Sequence, residues 1–246
     1  MSSQKFETIY LLLHRIVRNK DSLIYNEDVS LTFLKELLDL IFKLSKKKKK
    51  LKKKIVLTFD DGNLSDYQIV LKELEKRNLY AYFFIIPDLI GKKNYLNWDM
   101  VKELKKSQMF IGSHSLTHKS LIHINEKSAK YEMEKSKSII ENQINKKIES
   151  FSFPYGNFNR KLIKIAKDVG YKEIFTSRHG LSSIDDIFFK RNSINQYTKS
   201  KDIKNTFDAN VTKRLTWILE DSLKYPIKLY FGEKFYLNFK SFFLNR

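Results

Sequence analysis

Leu57-Thr58-Phe59-Asp60-Asp61-Gly62 is the stretch from which the rest of the chain can be read. It closes an apolar run, Ile55-Val56-Leu57, that predicts a buried strand, and Gly62 then frees the backbone for a sharp turn. Two adjacent carboxylates at a strand end are awkward to build. Neighbouring side chains on a strand point apart, and like charges forced together repel. A divalent cation resolves both problems, because one carboxylate binds it while the other stays ionised beside it as a base. A plain loop whose aspartates cap the following helix explains the stretch as well.

A second segment bears on that choice. Met109-Phe110-Ile111-Gly112-Ser113 predicts another short strand, followed by His114-Ser115-Leu116-Thr117-His118. Imidazoles at i and i+4 are expected on one face of a helical turn, about 5–6 Å apart at Cβ, within reach of one ion. Two histidines and one aspartate make three protein ligands and leave a position for water, the ligand count of a catalytic site.

Taken together these residues resemble the metal-dependent polysaccharide deacetylases, the superfamily of chitin, chitooligosaccharide and peptidoglycan deacetylases. Thr58 to Gly62 matches that family's Thr-Phe-Asp-Asp-Gly motif, and His114 to His118 its His-Ser/Thr-x-x-His motif. Phe151-Ser152-Phe153-Pro154-Tyr155-Gly156 resembles its Arg-x-Pro-Tyr motif, with serine where arginine is usual. The resemblance runs from about residue 8 to about 195. It implies an α/β fold, the distorted (β/α) barrel of the polysaccharide deacetylase type, and hydrolysis of an acetyl group from an N-acetylated sugar. It further implies that Asp60 is the catalytic base and that Asp61, His114 and His118 hold one divalent metal ion, Zn2+ foremost. The backbone N–H of Tyr155 would meet the oxyanion, with Pro154 and Tyr155 at the substrate.

The family usually takes its general acid from a Leu-x-His motif near the C-terminus, but no histidine follows His179 here. Leu12-Leu13-His14 has that form at the front, as in branches that resemble a circular permutation, so His14 is assigned as the acid. A strand-end surface histidine is its plainer reading. With Ser152 in the arginine's place and no Asp-Trp fourth motif after Ser177, Arg191 is the candidate substitute for orienting the base. His179 follows a strand end and is a candidate for lining the site, although a loop histidine fits as well; His123 is expected to be exposed.

Composition bounds the rest. The 246 residues suffice for one sizeable core, and 42% apolar with 14% aromatic residues are globular values. There is no cysteine, hence no disulfide and no thiolate ligand. The start lacks the pattern of a signal peptide, and no uncharged apolar run nears the roughly 20 residues needed to span a bilayer. The expectation is a cytoplasmic protein, with peripheral contact to the inner face of the membrane as an option. The net charge of +19 fits an anionic partner such as an acidic glycan, a nucleotide-sugar, nucleic acid or anionic membrane. A compositional bias is the favoured source of most of it, because Lys, Asn, Ile, Phe and Tyr are all abundant. No familiar nucleic-acid motif is present.

Along the chain, Thr8 to Ile16 predicts a strand, Leu31 to Leu44 a helix capped by Ser30, and Lys46 to Lys54 a solvated basic connection. Helices are expected over Ser65 to Asn78, Asn97 to Lys106 with Trp98 packed, Asn125 to Asn145 with Tyr131, Ile140 and Ile144 inward, and from Asn159 to a stop at Gly170. Strands are expected over Leu79 to Ile86, Ile148 to Phe153 and Tyr171 to Ser177. This alternation predicts a mostly parallel sheet with catalytic residues at strand C-termini. Residues 1–198 form the expected catalytic domain. Residues 199–246, whose bases and aromatics interleave from Lys224 onward, form an extension that either docks on it or lies on a membrane surface. An inactive deacetylase fold that binds glycan or an assembly partner is the alternative function, against which the intact Asp60, Asp61, His114 and His118 argue.

Overall fold

Strand–helix alternation resolves into one curled, mostly parallel sheet. The structure is a computed structural model that describes residues 7–46, 53–183, 185–186 and 188–244. Its strands are β1 (Glu7–Leu13), β2 (Ile16–Val17), β3 (Val29–Ser30), β4 (Lys53–Phe59), β5 (Ala81–Ile85), β6 (Phe110–Ser113), β7 (Ser150–Ser152), β8 (Glu173–Phe175), β9 (Ser182–Ser183) and β10 (Arg191–Ser193). The helices are α1 (Leu31–Lys46), α2 (Lys72–Glu75), α3 (Trp98–Lys106), α4 (Glu126–Ile144), α5 (Arg160–Asp168), α6 (Ser200–Asp208) and α7 (Val211–Leu244).

The sheet order is β10-β1-β4-β5-β6-β7-β8, all pairs parallel, with β9 antiparallel on β1 and β2–β3 a separate small pair. Its two ends approach each other. Phe175 in β8 bridges Phe189, two residues ahead of β10, so the curl closes into a distorted barrel. Alternation along each strand then divides the apolar residues between two layers. Ile9, Leu11 and Leu13, with Ile55, Leu57 and Phe59, face the helices in the main core. Tyr10, Val56, Tyr82, Phe84 and Phe175, with Phe189, fill the barrel interior as a separate aromatic cluster. Each such side chain fully removed from water contributes about 1.5–3 kcal/mol, which is what makes the register of the strands unambiguous.

Several local expectations need correction. The first strand ends beside His14 as expected, β1 closing at Leu13, but Ile16 belongs to β2 in the separate small pair. Ser30 does cap α1, its Oγ accepting from Phe33 N at 3.2 Å. The lysine run lies mostly outside the described residues, with α1 ending at Lys46 and β4 beginning at Lys53. The helix after the Asp-Asp pair widens into a π turn over Asp66–Leu71 before α2. Tyr131 points to solvent at 57% exposure, because the buried face of α4 is Ala129, Glu132, Met133, Ser136, Ile140 and Ile144. Beyond residue 199 the chain is two helices, and α7 runs straight through Pro226. Ile203 and Phe207 of α6 join the main core, and Trp217 of α7 is buried.

A candidate metal centre at the strand ends

The residues singled out above come from the C-terminal rim of the barrel. Asp60 and Asp61 follow β4, His114 follows β6, and His14 follows β1. The ladders extend by one residue to fix two of these positions: Asp60 N donates to Leu13 O at 3.1 Å and His114 N to Ile85 O at 2.8 Å. Asp61 then departs from strand geometry with φ of 78°, which is how two adjacent carboxylates come to share one site. Ser115, His118 and Tyr155 also hold positive φ, at 62°, 63° and 59°. None is glycine, so left-handed backbone, costly for an L-residue, gathers around this rim.

The second motif is not a helical turn, because Ser115 and His118 break any helix there. The two rings nonetheless sit 5.0 Å apart, brought together by an irregular loop. That loop is pinned from α4. The buried Glu132 carboxylate accepts from Leu116 N at 2.9 Å, Thr117 N at 2.8 Å and Thr117 Oγ1 at 2.6 Å. Sequence reading passed over Glu132; its signal was a carboxylate on the inward face of an amphipathic helix.

Asp61, His114 and His118 offer ligand atoms that all lie within 4.8 Å of one another. His114 Nδ1 pairs with the Ser152 carbonyl at 2.8 Å, which makes it the protonated nitrogen and leaves Nε2 as a ligand. His114 Nε2 and His118 Nε2 stand 3.7 and 3.5 Å from Asp61 Oδ1. Burial, together with nearby His114, pushes the His118 pKa down to about 4, so the ring is neutral near pH 7 and one of its nitrogens has a lone pair for a cation. Asp61 Oδ1 is itself buried without a hydrogen-bond partner. Two imidazoles around an orphaned carboxylate oxygen fit a divalent ion.

Asp60 lies beside this cluster, its Oδ2 3.7 Å from His114 Nε2. Arg191, fully buried, grips it with two parallel bonds, Nη1 to Oδ1 at 2.7 Å and Nη2 to Oδ2 at 2.8 Å. The same guanidinium donates to Ser152 Oγ at 2.7 Å, to Thr58 Oγ1 at 3.3 Å and to the Thr176 carbonyl at 3.0 Å. It rests over the rings of Phe84 and Phe175, on the aromatic floor of the barrel. Burial alone would raise the Asp60 pKa; Arg191, with His114 and His14, overrides it and holds the carboxyl well below the usual range. Ser152 is small enough to admit an arginine from β10 where the family motif would place its own. Asp66 is the opposite case: both its oxygens are buried without a partner, and burial with neighbouring Asp61 drives its pKa well upward.

A cavity of about 350 Å³ opens over the cluster, lined by His14, Asp60, Asp61, His114, His118 and Tyr155 among others. His14 Nδ1 is buried there with no partner among the described residues. Tyr155 sits in a tight turn packed on the end of β8, where a Cβ on Gly156 would collide with Ser177. The Tyr155 ring lies 4.6 Å from that of His118. Pro154 is buried and shapes this turn without lining the cavity. His179 is not part of the site: its Nδ1 pairs with Asp221 of α7 at 2.8 Å, and it lines a neighbouring cavity. His123 is exposed, as expected.

A parallel barrel with an aspartate–histidine–histidine cluster at its strand ends is the arrangement that comparison with known proteins then places in a family. Residues 47–174 match the family model of the polysaccharide deacetylases, so the chain belongs to that family. YxkH of Bacillus subtilis (strain 168), itself assigned to the polysaccharide deacetylases, is 31% identical over 142 residues, 58% of this chain and 51% of that protein. The poly-beta-1,6-N-acetyl-D-glucosamine N-deacetylase of Staphylococcus aureus (strain MSSA476) is 26% identical over 146 residues, 53% of this chain and 50% of that protein. This chain thus spans about half the length of both relatives. The fold matches that of Streptococcus pyogenes deacetylase PplD, solved with acetate, at a TM-score of 0.73 and 22% identity, covering 82% of this chain and 98% of that one. IcaB from Ammonifex degensii matches at a TM-score of 0.65 and 20% identity over 78% of this chain and 93% of that one.

Proposed function

We propose that the protein is a metal-dependent hydrolase that removes the acetyl group from an N-acetylated sugar. The observation that carries this reading is the orphaned, buried Asp61 oxygen facing two imidazoles. A divalent ion held by Asp61, His114 and His118 would lower the pKa of a water and polarise the acetamide carbonyl. Asp60, kept ionised by Arg191, is the group that accepts the attacking water's proton. Its strong pairing makes it a weak base in isolation but fixes its direction, and orientation is what a positioned base supplies. The Tyr155 backbone N–H stabilises the oxyanion as charge develops, a role that suits a backbone held in an unusual conformation.

His14, across the cavity with a buried and unpartnered ring nitrogen, donates the proton to the leaving amine. Its strand, β1, lies between β10 and β4, which sets His14 on the same rim as Asp60. The test is metal content of wild type beside His114→Ala, followed by acetate release from N-acetylated oligosaccharides. About one zinc per chain, lost in the variant, is the expected result. His14→Ala should keep its metal and lose most turnover. Wild type that takes up neither zinc nor cobalt would sink the hydrolase reading.

A further inference from the structure

The turn that carries Tyr155 is held by a helix with none of the family motifs on it. Tyr155 and Gly156 both sit in left-handed backbone, at φ of 59° and 67°. That conformation is costly for an L-residue such as tyrosine and persists only where the surroundings fix it. Two bonds close the turn, Gly156 N to Phe153 O at 2.9 Å and Asn157 N to Pro154 O at 3.2 Å. The rest of the hold comes from α7. Asp221, Lys224 and Lys228 recur at i, i+3 and i+7, hence on one face of that helix, and all three meet one stretch of rim. The Asp221 carboxylate accepts from the backbone N of His179 at 3.0 Å. Lys224 Nζ donates to the Ser177 carbonyl at 3.0 Å, and Lys228 Nζ to the Tyr155 carbonyl at 2.9 Å. Ser177 is the residue against which Gly156 packs, so the two lysines hold the two sides of one contact. Lys228 is only 5% exposed, a burial that an ammonium reaches when it is paired.

We propose that Lys228 is a positioning residue for the deacetylation, holding the Tyr155 turn so that its backbone N–H is aimed at the oxyanion before the charge develops. This rests on the deacetylase reading and adds α7 to the working parts of its site. The Tyr155 N–H lies between two anchored points. On one side is Pro154, buried and with its φ locked by its ring. On the other is the Tyr155 carbonyl, fixed by a charge-assisted bond from Lys228. With both ends held, the peptide between them has little room to swing. A donor aimed in advance strengthens the transition state alone, so the loss of Lys228 is felt in kcat and not in KM.

The experiment is acetate release by the zinc-loaded full chain from β-1,4- and β-1,6-linked N-acetylglucosamine tetramers. Hydrogen exchange of the peptide spanning residues 153–158 is its second readout. Lys228→Met keeps the apolar stem of the side chain without the donor. It should lower kcat by about 10–100-fold with KM within about twofold, since misaiming one oxyanion donor costs about that much. Zinc content should stay at the wild-type level, because the His118 loop is pinned separately by Glu132. Exchange in the turn peptide should speed by about tenfold or more, with or without metal, as expected of one lost hydrogen bond. Lys228→Arg restores a charged donor and should recover part of the rate. Should Lys228→Met fail to fold, Lys228→Gln, with a neutral donor on a shorter arm, is read in its place and should show a smaller fall of the same kind. An unchanged kcat overturns the proposal and leaves the deacetylase standing. A fall in kcat without faster exchange overturns it as well, because Lys228 would then act as a charge in the cavity and not through the turn. So does a fall that comes with lost zinc or a matching rise in KM, which is general damage to the site. Wild type that releases no acetate from either tetramer sinks the deacetylase reading, and faster exchange in Lys228→Met would then leave Lys228 a structural tie alone.

Discussion

Arg191 carries more of the site than any residue outside the motifs. It is the largest fully buried side chain, and its guanidinium meets both oxygens of Asp60. Breaking a buried pair of this kind by removing one partner costs about 3–5 kcal/mol. The pH dependence follows from the sign of the Asp60 shift. With Arg191 present the folded carboxyl titrates below its unfolded value, so the pair contributes stability above the ordinary carboxylate range and loses it as pH falls through the folded pKa. In Arg191→Met only His114 and His14 are left to oppose burial, so the downward shift shrinks and with it the stability held above the ordinary carboxylate range. Thermal melts of the chelated variant should therefore show a deficit that is largest near pH 7 and shrinks toward pH 4. Arg191→Lys keeps a charge without the fork and should fall between. A deficit independent of pH would show that Arg191 acts through packing on Phe84 and Phe175 instead. At this scale the sequence is informative where chemistry sits beside a strand end, as with Asp60, Asp61 and His114. It is less so for Arg191, whose pairing depends on a residue 131 positions away. Ser152 was the legible clue, since a missing arginine leaves a buried carboxylate in need of another.

Among the elements, α4 is the one whose role the sequence understates. Its charged surface marks it as a solvated helix, yet Glu132 turns inward and takes three donors from the loop that carries His118. Ser113 Oγ and Ser136 Oγ, 2.7 Å apart, tie the same helix to β6. Glu132→Ala removes the acceptor of all three donors and leaves Leu116 N and Thr117 N without their partner. Zinc affinity, read by competition with a chromophoric chelator, should fall by about 10–100-fold, the usual cost of losing an outer-shell support, with little change in far-UV circular dichroism. Unchanged affinity would mean that the left-handed residues hold the loop unaided. The expected helical turn at His114 to His118 failed for a related reason. The spacing of two histidines is the same in a helix and in a loop with φ of 62° and 63°, and no sequence signal marks positive φ at serine or histidine. No helix is read from the sequence beyond residue 199, and α7 continues to Leu244 with Pro226 inside it.

For the whole molecule, the open question is what covers the outer face of α7. Trp217, Lys224 and Lys228 face the barrel, while Val211, Leu215, Ile218, Leu219 and Leu223 recur at helical spacing on the far side, 55–75% exposed. Among the described residues no helix is long and apolar enough to cross a membrane. A stripe of this kind on a chain of net charge +19 is matched by an anionic bilayer surface, and the same charge opposes a second copy of the protein. We therefore propose peripheral binding of α7 to an anionic bilayer surface, with the cavity over Asp61, His114 and His118 held beside the lipid. Full-length protein should sediment with vesicles containing phosphatidylglycerol at low salt. High salt should weaken that binding, and Leu215→Ser/Leu219→Ser/Leu223→Ser should weaken it by about tenfold or more, since each buried leucine contributes about 1.5–3 kcal/mol. Binding that salt abolishes and the serine variant leaves untouched would reduce the contact to charge alone and remove the stripe from it. A dimer in solution that the serine substitutions dissociate would give the stripe to a second copy, and the bilayer would lose its claim on α7.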